Sequence, residues 1–221
     1  MLIPNLPGKK AHLKMAPEPR VITLKTEIEP PPEALDSAVL VLLLPPFAGS
    51  SSSKHVSSGE LFDWEVVVIK RSIYEGIHSG QIALPGGKRE DSDIDYADTA
   101  CRESYEELSI DRTKIEIIGL LSRIYVPPSN YIIYPVLAYA KSDMELTPDN
   151  KEVVEYRRIA LRMFNPDTSK ICRVQIGGEE FVNAPGYVID DYFIWGATAM
   201  ILSELYQLIE EAKLSISLIS P

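Results

Sequence analysis

The stretch from Gln81 to Ile110 constrains the fold of this 221-residue chain more than any other. It opens with QIALPGGK (Gln81–Lys88), a short strand closed by Pro85-Gly86-Gly87, where two glycines allow a backbone geometry and a close approach that a β-carbon forbids. Asp91, Asp93 and Asp95 follow, suited to capping and to the positive end of a helix dipole, and they predict a helix over Tyr96–Leu108. On a helical wheel Ala97, Ala100, Cys101, Ser104 and Leu108 fall on one narrow face that packs on a sheet. Glu103, Glu106 and Glu107 share a stripe beside that face. Carboxylates at this spacing repel unless a cation intervenes, and a hard divalent ion such as Mg²⁺ is the natural neutraliser. A bare E-x-x-E-E is ordinarily a solvated helix face. Here it follows a Pro-Gly-Gly turn, and Arg102 stands next to Glu103, which points to a site.

Around this stretch, apolar runs alternate with polar breaks, as expected of an α/β chain. Strands are predicted at Ala38–Leu44 (AVLVLLL), Trp64–Lys70 (WEVVVIK), Ile115–Ile124 and Tyr131–Tyr139, with Pro127-Pro128 and Asn130 separating the last two. A serine-rich loop around Ser50–Ser53 joins the first pair. Glu152–Leu161 reads as a helix or a strand edge, and YVIDDYFIW (Tyr187–Trp195) as a final strand. Turns are marked by Gly177-Gly178 and Pro185-Gly186. From Thr198 onward Ile201, Leu205, Leu208 and Ala212 lay one apolar stripe on a last helix. Residues 1–36, rich in proline, read as an irregular arm, and residues 37–221 as one domain.

Charge narrows the partners. With 22 Lys and Arg against 32 Asp and Glu, the net charge of −10 argues against nucleic acid or a membrane surface as a partner. An anionic substrate then needs a metal or local basic groups. Cys101 and Cys172 make no metal-ligand spacing and suit a reducing compartment. The longest apolar run, Ala38–Leu44, falls far short of the roughly 20 residues that span a bilayer. No signal peptide is visible, so a cytoplasmic location is expected.

The same residues resemble the Nudix hydrolase family, whose signature is G-x5-E-x7-R-E-U-x-E-E-x-G-U, with U a bulky aliphatic. Arg102-Glu103 and Glu106-Glu107 match without a gap, and Ile110 supplies the final aliphatic. Ser104 replaces the first aliphatic, Ser109 replaces the glycine, and Gly87 lies fifteen residues before Arg102 instead of fourteen. Ile94 stands where the isolated glutamate belongs, leaving that role absent or taken by Asp93. The one-residue expansion is similar to the coenzyme A diphosphatase branch. So is the upstream stretch VVVIKRSIYEGIHSGQIALPGG, in which Arg71, Ser72, Gly80, Pro85, Gly86 and Gly87 are in register with that branch. Gly76 and Leu84 depart from it, where an arginine and a phenylalanine belong. AHLKMAPEPR near the N-terminus and FIWGATAMIL near the C-terminus also look like this branch.

The resemblance implies an α/β/α sandwich with a mixed sheet and a Mg²⁺- or Mn²⁺-dependent hydrolase. Its substrate would be coenzyme A or acyl-coenzyme A, cut to 3′,5′-ADP and (acyl-)4′-phosphopantetheine. It also implies Glu103, Glu106, Glu107 and the Gly87 carbonyl as metal ligands, with Arg102 orienting the carboxylates. The general base is Glu103 by first choice, with Glu152 and Glu155 as downstream candidates; Arg71, Ser72, Gly80, Gly86 and Lys88 would bind substrate, Lys70 being a further basic candidate. ADP-ribose, NADH or a nucleoside triphosphate is the alternative substrate class, and a non-catalytic nucleotide-binding protein the alternative from another class. His78 reads as a plain loop residue and Trp195 as core. A homodimer through the arm and the last helix is a further expectation.

Overall fold

A computed structural model describes residues 3–18, 20–21, 29–46, 61–72, 80–177 and 180–211. The serine-rich loop, Gly76, His78, Gly178 and Ala212 lie outside these residues. The strands are β1 (Leu35–Leu44), β2 (Glu65–Arg71), β3 (Ile82–Ala83), β4 (Gly86–Lys88), β5 (Ile115–Leu120), β6 (Ile124–Val126), β7 (Tyr131–Ala140) and β8 (Val153–Ala160). They form one mixed sheet in which β3, β2, β1, β7 and β5 lie side by side, β4 pairs with β1, β6 with β7 and β8 with β2. The β1–β7 pair is parallel and the other pairings are antiparallel.

The unbroken apolar run of β1 has a simple cause: both faces of the sheet are covered. Ala38, Leu40, Leu42 and Leu44 join the core under helix α2 (Tyr96–Leu108), together with Val67 and Ile69 of β2. Val41, Leu43, Val66 and Val68 point to the opposite core, against helix α3 (Gly196–Glu210). Each such leucine, fully buried, contributes roughly 1.5–3 kcal/mol. A second sheet of three antiparallel strands, β9 (Lys170–Gly177), β10 (Glu180–Ile189) and β11 (Tyr192–Trp195), covers the α3 side. The mixed sheet between helices is the expected α/β sandwich, in the α+β class.

Several boundaries differ from the sequence-based expectation. The stretch taken as an irregular arm holds helix α1 (Lys9–Met15), whose Ala11, His12 and Met15 are buried against α3. His12 Nε2 lies 2.9 Å from Glu204 Oε2 on α3, and Ser203 Oγ donates to the Ala11 carbonyl. A two-turn helix in a proline-rich stretch is too short to stand by propensity, and tertiary packing supports it. The arm and α3 therefore pack against each other within the chain. Ile115–Ile124 is two strands. Tyr187–Trp195 is a hairpin, turning at Asp190 with φ +52°. Glu152–Leu161 resolves as strand β8, and the Gly86-Gly87 pair is itself part of strand β4, paired antiparallel with β1. Among the described residues no helix is long and apolar enough to cross a membrane.

Candidate active site

Two glycines bring the backbone of β4 against α2. Gly86 has φ +147°, and a β-carbon there would come 2.6 Å from Val39 Cα on β1. A β-carbon on Gly87 would fall on the Glu103 carboxylate. With both side chains absent, the Gly86 N–H donates to Glu107 Oε2 at 2.8 Å.

Helix α2 starts where the acids predicted. Asp95 accepts from the Asp98 N–H at 2.8 Å, and Asp98 in turn accepts from the Ile94 N–H, a reciprocal N-terminal cap. Ser104, standing in place of an aliphatic, is fully buried because its hydroxyl donates to the Ala100 carbonyl at 2.6 Å. At the other end Ser109 adopts the left-handed conformation, φ 57° and ψ 34°, that a glycine would take. The Thr147 and Asp149 N–H groups then donate to the Leu108 and Glu107 carbonyls, docking the loop that carries Glu152 onto the end of α2.

Arg102 ties the carboxylates together. Its guanidinium bonds both oxygens of Asp93 at 2.9 and 3.0 Å, Glu103 at 2.9 Å, Glu106 at 3.4 Å and the Lys88 carbonyl at 3.0 Å. Ile94 is 85% exposed and Asp93 is buried, so the acid of this turn that engages Arg102 is Asp93. The three glutamates grade from buried to open: the side chain of Glu107 is 2% exposed, Glu103 16% and Glu106 54%. All three were expected on one stripe; their unequal depth comes from β4, which covers the Glu107 side.

The electrostatics follow from that depth. Burial, offset in part by the Gly86 N–H and Arg71, pushes the Glu107 carboxyl up to about 7, and the Glu103 and Glu152 charges add to the rise. Glu103 is raised first by burial, with Glu106 and Glu152 adding and Arg102 opposing. Asp93 is held well below the ordinary carboxylate range, first by its hydrogen bonds to Arg102, and Arg102 is correspondingly raised. Arg71 Nη1 stands 3.9 Å from Glu107 Oε1.

Among the described residues no three His, Cys, Asp or Glu side chains converge into a ready-made metal cage. The donor chemistry nonetheless fits a hard divalent cation. Glu103 and Glu107 are hard oxygen donors that burial and neighbouring carboxylates, Glu106 and Glu152 for Glu103 and Glu103 and Glu152 for Glu107, hold above their ordinary values, a strain a cation relieves.

Beside these groups lies a cavity of about 690 Å³. Arg71, Gly86, Gly87, Lys88 and Glu103 line it, and Glu103 is the α2 residue on its wall. Ser72 and Gly80 stand outside the lining, where Ser72 donates its N–H to the Glu152 carbonyl and Gly80 its N–H to the Ser72 carbonyl. Glu152 acts on Glu103 and Glu107, whereas Glu155 is drawn away to Lys70 at 3.5 Å and Arg157 at 3.8 Å. Trp195, read as core, is half-buried and lines the cavity, as does Arg20. Both lie in stretches that resemble the coenzyme A diphosphatase branch, AHLKMAPEPR and FIWGATAMIL, but neither stands out there as a site residue, because each reaches the cavity from a distant part of the chain.

Comparison with known proteins identifies the family. A match to the NUDIX domain spans residues 57–174, more than half of the chain. "Nudix hydrolase 22, chloroplastic" of Arabidopsis thaliana is 31% identical over 150 residues, 65% of this chain and 49% of that protein. "Mitochondrial coenzyme A diphosphatase NUDT8" of Homo sapiens is 31% identical over 147 residues, 64% of this chain and 61% of that protein. "Uncharacterized Nudix hydrolase NudL" of Escherichia coli is 32% identical over 146 residues, 63% of this chain and 72% of that protein. The chain spans about half the length of the Arabidopsis relatives it matches, and the plant and human relatives carry chloroplast and mitochondrial names in place of the cytoplasm expected here. With the glycine strand, the Arg102 network and the glutamate stripe in place, the chain belongs to the Nudix family.

Proposed function

We propose that this chain is a metal-dependent diphosphatase that hydrolyses coenzyme A or acyl-coenzyme A to 3′,5′-ADP and (acyl-)4′-phosphopantetheine. The observation that carries the reading is the placement of Glu103, raised by burial, on the wall of a cavity that Arg71, Lys88, Gly86 and Gly87 also line. The similarity to a human protein named for coenzyme A diphosphatase activity supports the substrate.

Nudix hydrolases generally use a divalent metal; here Mg²⁺ or Mn²⁺ would be held by Glu103, Glu106, Glu107 and the Gly87 carbonyl, and would supply charge neutralisation and a more acidic bound water. Arg71 and Lys88 meet the phosphate oxygens. Arg102 fixes Glu103 through two acceptors on opposite sides, Asp93 and Glu103, so the carboxylate is oriented before substrate arrives. Glu103 accepts the proton of the attacking water as its oxygen bonds to phosphorus and the anhydride P–O bond breaks. Glu152, whose charge acts on Glu103, is the downstream candidate to assist, since Glu155 is committed to Lys70 and Arg157.

The test is incubation with Mg²⁺ or Mn²⁺ and, in parallel, coenzyme A, acetyl-coenzyme A, ADP-ribose, NADH and a nucleoside triphosphate, with products resolved by chromatography. Metal-dependent release of 3′,5′-ADP, faster than any other cleavage and lost in Glu103→Gln, is the expected result. Faster cleavage of another diphosphate would move the substrate to that class, and no cleavage at all would leave a nucleotide-binding protein.

A further inference from the structure

The cavity carries a cation that the diphosphate chemistry does not use. Arg20 lines it, and the buried Nε of Arg20 has no hydrogen-bond partner. No carboxylate among the described residues pairs with its guanidinium; the titratable group that acts on it is the Tyr125 phenol of β6. The buried Nε of Arg71 also lacks a partner, but its guanidinium differs in having a carboxylate beside it, Nη1 standing 3.9 Å from Glu107 Oε1 on α2. The two guanidiniums therefore stand against different elements: β6 borders β7, whereas β2 and β4 border β1, so two strands separate β4 from β6. Arg20 is held by its own backbone, its N–H donating to the Pro17 carbonyl at 2.8 Å, and Pro17 also lines the cavity.

Resting on the function proposed above, we propose that Arg20 receives a second anionic group of the substrate, a phosphomonoester carried apart from the scissile diphosphate, which in coenzyme A is the 3′-phosphate of the ribose. A half-buried guanidinium whose buried Nε has no acceptor among the described residues is costly, and burial does pull this group below its ordinary value. A phosphate restores two hydrogen bonds at once, because the planar fork of arginine matches two of its oxygens. In a chain of net charge −10, a polyanion is attracted by such local cations and not by the overall field. A ribose phosphorylated at both ends needs two separated cations, as Arg71 and Arg20 are. Arg20 is thus a specificity residue that separates coenzyme A from diphosphates lacking the extra phosphate, such as NADH and ADP-ribose.

The experiment compares kcat/KM for coenzyme A and for 3′-dephospho-coenzyme A, in the wild type, Arg20→Gln and Arg20→Lys. In parallel, titration calorimetry measures binding of adenosine 3′,5′-bisphosphate against 5′-AMP. The wild type is expected to favour coenzyme A, and Arg20→Gln to lower the ratio of the two substrates roughly 10- to 100-fold through KM, with Arg20→Lys restoring part of it. The same variant should erase the preference for the bisphosphate in calorimetry. A wild-type ratio near one, or a ratio unchanged in Arg20→Gln while both substrates suffer equally, would overturn the assignment and leave Arg20 a packing residue. If neither coenzyme A is cut, the calorimetric arm still decides: a bisphosphate preference that depends on Arg20 sustains this proposal while the diphosphatase reading falls, and its absence overturns both.

Discussion

Two glutamates lie almost wholly inside this protein, and they are treated in opposite ways. Glu204 on α3 accepts from the Gly8 N–H at 3.1 Å, the Ser122 N–H at 3.2 Å and the Ser122 hydroxyl at 2.6 Å, with His12 Nε2 at 2.9 Å. Glu107 on α2 receives one backbone N–H, stands 3.9 Å from Arg71, and has two further carboxylates acting against it. A buried charge costs several kcal/mol unless its lone pairs are satisfied. Glu204 meets that condition and staples α1, the β5–β6 connection and α3 into one core. Glu107 does not, and its unmet demand for positive charge is what the proposed metal would satisfy.

Substitutions can break this contrast at either end. The largest effect is expected from Glu103→Gln, the neighbour of Glu107 on the cavity wall: turnover falls on the order of 10²–10⁴-fold with little change in melting temperature, as read by product release and thermal unfolding side by side. Glu204→Ala should do the reverse. It leaves three donors and a histidine unpaired, costing about 3 kcal/mol or roughly 6–12 °C in melting temperature, while activity per folded molecule survives.

Asp93→Asn comes next, weakening the Arg102 clamp by about 2 kcal/mol at neutral pH. Because the folded carboxyl of Asp93 is depressed, its stabilisation is present above the unfolded value of about 3.8 and fades as pH falls through the lower folded value; the gap between wild type and variant in denaturant melts should close in acid. Glu107→Gln sharpens the comparison most directly. The folded carboxyl is raised, so its contribution is full below about 4.5 and is lost as pH rises through about 7. The metal-free variant should therefore gain about 1 kcal/mol at pH 8, lose that pH dependence, and gain less than the wild type from added Mg²⁺. Ser109→Gly is the smallest, a gain of roughly 0.5–1 kcal/mol from relieving a left-handed serine, measured by urea unfolding.

Much of the α2 region was legible in the chain itself. The capping acids, the helix from Tyr96 to Leu108, the apolar face and the glutamate stripe are all local, set by residues within about four positions of one another. The departures at Ser104 and Ser109 are also resolved locally, by a hydroxyl bonded to its own helix and by a residue taking the glycine conformation. Less was legible where structure depends on distant partners. Helix α1 was read as irregular because nothing in its sequence shows that Ala11 and Met15 meet α3 some 190 residues away. Strand β9 and the hairpin at Asp190 went unread for the same reason, since their stability lies in cross-strand pairs.

The sequence by itself determined the chemistry on offer: three carboxylates and an arginine on one helix behind two glycines, which local periodicity places without knowledge of the rest of the chain. Only the tertiary structure decided how that chemistry is distributed. It buried Glu107 beneath β4, left Glu106 in water, chose Asp93 over Ile94, sent Glu155 to Lys70 and Arg157, and put Arg20 on the cavity wall. The physical reason is that desolvation and charge coupling depend on what covers a group, and the covering groups come from strands far away in the chain.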